Sequence, residues 1–495
     1  MKRLGSKDVR HHSQDRPKRF GPAFSRVVSA GCTIAIVIMI TIFGSCSKTG
    51  RDSRSDTRPP ILFFAIDGLE WNVVKPLLEK GKLPTIAGLM ERGVFGYLES
   101  MIPTYSAVIW TSIATGKVPA KHGIKHFVYE VGKAKDGSKE FRYYTSGHRK
   151  TKALWNILSD HDQVVHCVGW WMTFPAEQIN GVMVSQTNTT AALKKPQRAL
   201  WKGLLLKGVE GQVHPAERQN RVMDILEDVD DSLDQITEDI FGRPPHPLTE
   251  FSRMMWDQTL WAFRADATYV RAARDILETG EPFDLFSIYV GGPDVAGHRF
   301  WRYAYPSEFD NPPDEDQIEN FGEVINDHYI YVDRIIGEFM ELAPDDATVI
   351  IASDHGMHSI NNERVFRHTD NMIETNSAHH LDAPPGVFIA AGTGIQKPTE
   401  TTPIDNLDLP TMNTVGGVMD ILPTMLVLRD IPIGEDMDGT PMRGTIDLDL
   451  IKNTGIRYIP THDTPEWLAG RHKRIREAVD QTERLEQLRS LGYIK

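Results

Sequence analysis

Three apolar segments of the sequence end in an aspartate, and two of them also bring a histidine. These residues are Asp67 after "PILFFAI", Asp294 after "FSIYVGGP" with His298 four residues later, and the adjacent pair Asp354 and His355 after "ATVIIAS". A single aspartate after a strand is most often a turn residue or a helix cap. Three such ends in one chain are far less expected by chance, so they predict one shared site.

Carboxylate oxygens and neutral imidazole nitrogens are ligands for zinc and similar divalent ions. Five such groups are more than one tetrahedral catalytic zinc ion uses, because that ion keeps an open coordination position. The count therefore predicts two divalent ions, with Zn²⁺ as the first choice and Mn²⁺ as the alternative. A further ligand is expected from "NSAHHLD", where His379 and His380 are adjacent.

The elements that position these groups predict an α/β fold. Short apolar runs rich in Val, Ile and aromatic residues alternate with helical patterns, which is typical of a mostly parallel sheet covered by helices on both faces. The first strand is predicted over Ile61 to Ile66, and helices are predicted to open at Pro84 and to run from Ser106 to Gly116. In such sheets ligands bind where strands end at their carboxyl edge.

The 495 residues are divided by their composition into an N-terminal segment and a large domain. Residues 60–450 are predicted to form the catalytic domain, with a mostly helical insertion at about 190–284 that could cap the site, and residues 451–495 a C-terminal helical tail. The formal charge of -12 argues against nucleic-acid binding through a basic face. The oligomeric state is left open by the sequence.

Residues 1–46 have the composition of a targeting segment. A head with eight Lys or Arg precedes an uncharged apolar run, Val27 to Ser47, and "IFGSC" resembles the bacterial lipoprotein signal with Cys46 as the lipidated residue. An uncleaved anchor helix is the alternative. Both interpretations predict a membrane-associated, extracytoplasmic protein, in the periplasm or at the cell surface, with residues 47–59 as a polar tether. Cys167 is then the one cysteine of the folded part, and is predicted to be a buried small hydrophobe.

The ordered motifs resemble the alkaline phosphatase superfamily, and within it the type I phosphodiesterase/nucleotide pyrophosphatase branch. The resemblance covers about Ile61 to Met425 and rests on "AIDG", "PTYSAVIWTSIATGKVPAKHGI", "DVAGH", "SDHG" and "HHLD". It implies an alkaline-phosphatase-like fold and a hydrolase of small phosphate esters that acts through a phosphorylated serine. That nucleophile would be Ser106, at the start of a helix.

The resemblance also assigns the metal ligands. One ion would be held by Asp67, Asp354 and His355, with Ser106 as its fourth, reactive neighbour and metal-site residue. The other would be held by Asp294, His298 and His379, with His380 as the alternative to His379. These assignments bring the six predicted ligands and the serine into one reaction centre.

Two features depart from the resembled family or leave its interpretation open. The nucleotide pyrophosphatases carry an Asn three residues after the nucleophile, where this chain has Ile109, so nucleotide diesters are a less secure substrate. In "GWWMTFPAE" two tryptophans either pack in the core or line a pocket for a ring or a lipid tail. The competing functions are a phosphomonoesterase, a sulfatase, disfavoured because "SAVIW" lacks the sulfatase Pro and Arg, and a non-catalytic metal-binding surface lipoprotein.

Overall fold

The computed structural model describes residues 58–133, 137–190, 201–360, 376–399, 403, 406–471 and 473–477. Contacts divide the chain into residues 1–49 and 50–495, and all described residues belong to the second unit. The predicted signal or anchor segment and most of the predicted tether therefore lie outside the described residues. Among the helices of the described part, none has the length and apolarity required to cross a membrane.

The described chain alternates between strands and helices. Its strands are β1 (Ile61–Ile66), β2 (Gly93–Glu99), β3 (Val128–Lys133), β4 (Lys139–Tyr143), β5 (Val165–Val168), β6 (Gly181–Val184), β7 (Thr187–Thr190), β8 (Trp201–Leu204), β9 (Val213–His214), β10 (Leu285–Val290), β11 (Thr348–Ala352), β12 (His358–Ser359), β13 (Ala378–His379), β14 (Gly386–Ala391), β15 (Thr414–Gly417), β16 (Ile433–Gly434) and β17 (Tyr458–Ile459). Its α-helices are α1 (Trp71–Glu79), α2 (Pro84–Glu91), α3 (Ser106–Thr115), α4 (Pro119–His122), α5 (Leu154–Asp160), α6 (Gln219–Phe241), α7 (Glu250–Asp257), α8 (Leu260–Glu278), α9 (Gly292–Ala304), α10 (Glu315–Phe321), α11 (Val324–Leu342), α12 (Ile421–Leu428) and α13 (Leu448–Thr454).

A nine-stranded mixed sheet forms the centre, in the order β15-β2-β14-β11-β1-β10-β5-β6-β9. The five strands from β11 to β6 are parallel to one another. Strand β14 runs antiparallel to β11 and β2, and β9 runs antiparallel to β6. The predicted fold class, a mostly parallel sheet between helices, is confirmed.

Both faces of the sheet are covered, as the continuous apolar runs predict. In β1, Leu62, Phe64 and Ile66 face one core, while Phe63 and Ala65 face the other. Phe63 and Phe64 are each 1% exposed, and burying such a side chain stabilises the fold by roughly 1.5–3 kcal/mol. Strand β1 thus lies centrally because its residues are apolar on both faces.

The region predicted as a helical insertion contains the three helices α6, α7 and α8, but it is not wholly helical. Strand β8 pairs with β7, and β9 extends the edge of the main sheet next to β6. These strands have four and two residues, too short to show a periodic pattern. In the predicted C-terminal tail, which begins at residue 451, residues 451–454, 465–471 and 473–477 are helical, and β17 is a short strand. Residues beyond 477 lie outside the described part.

Candidate active site

The carboxyl ends of three neighbouring strands form the floor of the site. Strand β1 lies between β10 and β11, with Ile66 opposite Val290 and Ala65 opposite Ala352. The chain therefore delivers Asp67 directly after β1 and Asp354 two residues after β11. Both side chains are buried, 1% and 0% exposed. Parallel strand order explains why residues so distant in sequence meet here.

The Asp67 carboxylate is fixed through one of its two oxygens. Asp67 Oδ2 accepts a hydrogen bond from Tyr289 Oη at 2.6 Å and another from Trp110 Nε1 at 3.0 Å. Its Oδ1 lies 3.4 Å from His355 Nε2, which is itself 3.3 Å from Asp354 Oδ2. One oxygen of Asp67 is thereby oriented, and the other points towards the imidazole and the second carboxylate.

A second group of ligands adjoins the first. Strand β10 leads into helix α9, which carries Asp294 in its first turn and His298 one turn later. Asp294 Oδ1 lies 3.4 Å from His298 Nε2 and 3.7 Å from His380 Nε2. His298 Nδ1 is hydrogen-bonded to the carbonyl of Ala378 at 2.8 Å, which turns Nε2 towards the site.

Of the two adjacent histidines, the structure brings His380 to this cluster. The His380 ring stacks on His355 with ring centroids 3.7 Å apart, and its Nε2 lies 3.1 Å from His298 Nε2. The predicted ligand His379 is not brought there. It lies opposite His358 in the β12–β13 pair, on the side of Asp382.

The predicted nucleophile lies beside these groups. Ser106 is the first residue of α3. The preceding residue, Tyr105, is the N-cap and its side chain makes no capping hydrogen bond, while Gly116 ends the helix in the left-handed conformation. Ser106 lines a cavity of about 280 Å³ together with Asp67, Asp294, His298 and His380. The first N–H groups of a helix lack intrahelical acceptors, so they are available to a bound anion.

Burial shifts the pKa values of the carboxyl and imidazole groups in this cluster. Burial, and then the charge of Asp67, raises the pKa of Asp294 and Asp354 well above the usual value. Burial lowers the pKa of His355, and lowers that of His298 to about 4. Burial also lowers the pKa of His380. The imidazoles are therefore neutral at pH 7 and offer the lone pairs that a divalent cation requires.

The donor atoms fit divalent ions. Asp67 Oδ1, Asp294 Oδ1, Asp354 Oδ2 and His355 Nε2 are buried and make no hydrogen bond to any described residue. One ligand atom from each of Asp67, Asp294 and His355 lies within 4.8 Å of the others, and the same is true of Asp294, His298 and His380. Buried polar atoms without partners are rare, and here they converge in two adjoining groups, so the side chains suit two neighbouring cations.

The close approach of two backbone segments holds the two groups together. Gly68 has φ +72°, and a Cβ placed on it would lie 2.7 Å from the Asp294 Cα. A residue larger than glycine would therefore separate the β1 turn from the start of α9. This glycine follows Asp67 in the "AIDG" motif, and its small size is what permits Asp67 and Asp294 to approach.

The sequence patterns did not mark the side chains that support the site. Tyr289 and Trp110 orient Asp67, and Trp171 donates from Nε1 to Tyr289 Oη at 2.8 Å. Of the two tryptophans in "GWWM", Trp170 is wholly in the core and Trp171 lines the cavity. The signal for Tyr289 was a phenol inside a mostly apolar strand, since a buried hydroxyl needs a partner.

A buried acid supports the second group from outside the strand ends. The Asp266 carboxylate accepts hydrogen bonds from the N–H groups of Gly291 and Gly292, each at 2.9 Å. These are the residues at which β10 passes into α9. His328 Nε2 lies 3.1 Å from the same carboxylate. Asp266 thus holds the turn that presents Asp294.

This fold, with carboxylate and imidazole groups at the carboxyl edge of its sheet beside a serine, defines a phosphoester hydrolase of the alkaline phosphatase superfamily. The family model for type I phosphodiesterase / nucleotide pyrophosphatase matches residues 61–406. The chain belongs to that family, and the resemblance inferred from its motifs is confirmed. The search of curated proteins by sequence found no match.

Solved structures with a related fold include three hydrolases or their relatives. The wild-type alkaline phosphatase PafA is 12% identical, with 80% of this chain and 100% of that chain covered and a TM-score of 0.45. The human ectonucleotide pyrophosphatase / phosphodiesterase 5 is 13% identical, with 80% and 99% covered and a TM-score of 0.41. A phosphonoacetate hydrolase from Sinorhizobium meliloti 1021, in complex with phosphonoformate, is 15% identical, with 62% of this chain and 59% of that chain covered and a TM-score of 0.36.

Proposed function

We propose that this protein hydrolyses small phosphate diesters at a two-metal centre, by way of a phosphorylated Ser106. The observation that carries the proposal is the convergence of six carboxylate and imidazole side chains, four of which line the cavity that Ser106 also lines. Several of them have buried atoms that make no hydrogen bond to a described residue. Zn²⁺ is the proposed metal because imidazole and carboxylate ligands suit it, with Mn²⁺ as the alternative.

The ligands divide between two positions. Asp67, Asp354 and His355 would hold the ion next to Ser106. Asp294, His298 and His380 would hold the other ion, with His380 in the place that the resemblance assigned first to His379. The short distances from Asp294 Oδ1 to His298 Nε2 and to His380 Nε2 support the choice of His380.

The bound ions would lower the pKa of hydroxyl groups and neutralise charge on the reacting phosphate. Ser106 Oγ would release its proton to water and form a bond to phosphorus as the bond to the leaving alkoxide breaks. The alkoxide would take a proton from water and leave as an alcohol. Free N–H groups in the first turn of α3 would hold the non-bridging phosphate oxygens. Water would then cleave the phosphorus–Oγ bond, releasing the phosphate monoester and restoring the serine hydroxyl.

The lining of the cavity indicates the kind of ester. Phe127, Trp171, Trp261 and Tyr105 bring aromatic surface to the site. Ile109, at the position of the polar Asn in nucleotide pyrophosphatases, is 0% exposed and packs in the core rather than at the cavity. We therefore infer a diester with an apolar or ring-containing group, since an aromatic wall binds such a group by stacking and dispersion.

Replacement of the nucleophile tests the reaction. Ser106→Ala should lower kcat for bis(4-nitrophenyl) phosphate by at least about 10³-fold, because the covalent step loses its attacking oxygen. Bound zinc, measured by mass spectrometry, should not fall, because Ser106 contributes none of the six carboxylate and imidazole ligands. The matched control is Ser112→Ala in the same helix, since Ser112 hydrogen-bonds to His122 and does not line the cavity. Full activity of Ser106→Ala would exclude the covalent route.

The same assay separates the alternative activities. Turnover of 4-nitrophenyl phosphate equal to that of the diester would favour a phosphomonoesterase, and turnover of a sulfate ester above both would favour a sulfatase. Absence of turnover of all three esters in zinc-loaded protein would favour the non-catalytic binding protein.

We further propose that the N-terminal segment tethers the enzyme to a membrane outside the cytoplasm, through lipidation of Cys46. The support is the basic head, the apolar run and the small residues before Cys46. Cys46→Ser should abolish incorporation of labelled palmitate in a bacterial host. Membrane-bound protein without label, in both the unaltered chain and the variant, would show the uncleaved anchor instead.

A further inference from the structure

A second cluster of histidine and aspartate lies next to the candidate active site. Strands β12 and β13 pair antiparallel, with His358 directly opposite His379. Asp382 follows three residues after His379 and reaches back to both imidazoles. Residues opposite each other in an antiparallel pair present their side chains on the same face. The pairing therefore places the two imidazoles side by side.

The distances in this cluster suit the coordination sphere of one cation. The two rings have centroids 4.4 Å apart, at an interplanar angle of 52°. Asp382 Oδ1 lies 2.7 Å from His358 Nε2 and 3.9 Å from His379 Nδ1. His379 Nδ1 accepts a hydrogen bond from the backbone N–H of Leu381 at 3.2 Å, which leaves Nε2 as the candidate ligand atom of His379. One ligand atom from each of the three residues lies within 4.8 Å of the other two.

His358 has a buried polar atom without a hydrogen-bond partner among the described residues, as several residues of the candidate active site do. Its Nε2 is buried and makes no hydrogen bond to a described residue, although Asp382 Oδ1 lies 2.7 Å away. His379 and Asp382 are partly exposed, with 29% and 60% of their side chains accessible, so an ion can enter from solvent.

We propose that His358, His379 and Asp382 bind a third divalent transition-metal ion, of the Zn²⁺ class, outside the reaction centre. Two imidazoles and a carboxylate form a recognised three-ligand set that leaves one position for water. The ion would join β12 to the segment that carries His380. It would thus stabilise the ligand segment of the active site without contacting the substrate.

Zinc stoichiometry tests the proposal. Protein saturated with Zn²⁺ and passed through a desalting column is analysed by mass spectrometry. The unaltered chain should retain one equivalent more than either His358→Gln or Asp382→Asn, two substitutions at partly exposed side chains that leave the core unchanged. The matched control is His161→Gln, which removes an exposed imidazole outside every metal-ligand group of the described residues.

The result is separable from the reaction centre. The double variant Asp67→Asn and Asp294→Asn should lose the zinc of the proposed catalytic pair and keep one equivalent, which adding His358→Gln removes. Equal zinc contents of the unaltered chain, His358→Gln and Asp382→Asn would overturn the third site. So would a loss of one equivalent in His161→Gln as large as that in His358→Gln.

Discussion

At the scale of single residues, Asp67 shows how the protein prepares a ligand. Trp171 donates to Tyr289, and Tyr289 and Trp110 both donate to Asp67 Oδ2. The pKa of Tyr289 is raised by burial and by the charge of Asp67, so its phenol stays protonated and remains a donor. The chain of hydrogen bonds leaves Asp67 Oδ1 as the ligand atom.

The hydroxyl of Tyr289 should matter for metal affinity. Tyr289→Phe removes a donor from Asp67 and leaves Trp171 Nε1 without its acceptor. Loss of such a supporting hydrogen bond typically lowers metal affinity or activity 10- to 100-fold, and we expect a change in that range. The measurement is zinc competition against a chelator, with kcat measured in parallel.

Tyr269→Phe is the matched control for that experiment. Tyr269 is 1% exposed and lines the same cavity, but its hydroxyl makes no hydrogen bond to a described residue. Its substitution should leave zinc affinity within about twofold. A similar weakening in both variants would mean that the Tyr289 bond does not act through Asp67.

The ligands could be predicted to the extent that strand ends reveal them. Asp67, Asp294 and Asp354 follow apolar runs, and neighbouring parallel strands bring such residues together. Choosing between His379 and His380 required the register of β12 and β13, which depends on how the chain returns to the sheet and not on the local pattern. The support from Tyr289 was missed because a strand tyrosine is usually a core residue.

At the scale of elements, α9 is the helix whose position decides the second ligand group. Its first turn is held from below by Asp266 on α8, which accepts from two successive N–H groups. The sequence could not show this contact, because Asp266 belongs to a helix 25 and 26 residues before its partners. By contrast, β1 was predicted at its observed bounds and α3 to within one residue, since an apolar run ending in Asp-Gly and a helix closed by glycine are local signals.

Substitution of Asp266 should separate its effect on the position of α9 from its effect on the stability of the protein. Asp266→Asn can accept at most one of the two N–H bonds, so we expect a loss of roughly 1–3 kcal/mol in unfolding free energy. A shifted α9 would also lower kcat and zinc affinity about 10-fold or more. Chemical unfolding of the metal-free protein and steady-state kinetics of the loaded protein measure the two effects.

Asp333→Asn provides an equivalent change elsewhere. The Asp333 carboxylate accepts from Thr85 N at 3.2 Å and Ile86 N at 2.7 Å, at the start of α2, and it does not line the cavity. It should cost comparable stability and leave kcat and zinc affinity unchanged. If Asp266→Asn were as active as the unaltered protein, the position of α9 would not depend on the hydrogen bonds to Asp266.

At the scale of the whole molecule, the site concentrates negative charge in a buried edge of an acidic protein. The raised pKa values of Asp294 and Asp354 mean that protons and cations compete for the same oxygens. His298, with a pKa lowered to about 4, does not take up a proton near neutral pH. The carboxyl groups, not this imidazole, therefore set the pH dependence of metal binding.

Zinc affinity should accordingly fall as the pH is lowered from 8 towards 5. Binding releases the protons of the raised carboxyl groups, so the apparent Kd should increase by up to about tenfold per pH unit for each proton released. Chelator competition at several pH values measures it, and the His358→Gln background removes the proposed third site. A Kd for zinc that does not change between pH 8 and pH 5 would contradict the proposed competition between protons and zinc for the carboxyl groups.

Proton counting during calorimetric zinc titration gives an independent check. In buffers of different ionisation enthalpy, the number of protons released should be positive near pH 6 and decline towards pH 8. Proton uptake on binding would contradict the direction of the carboxyl shifts.

The metal-ligand groups of the cavity and part of its apolar lining come from different elements of the chain. Strand ends of the sheet, helix α9 and the segment after β13 supply the proposed ligands, whereas α8 supplies Trp261, Ala262, Ala265 and Tyr269 to the cavity lining. During divergence, a lineage could thus acquire a new preference for one alcohol over another by remodelling this helix, while inheriting the reaction chemistry intact. One position would resist such drift: Asp266 lies on the same helix, and a replacement helix lacking its carboxylate would gain a new pocket and lose the catalyst.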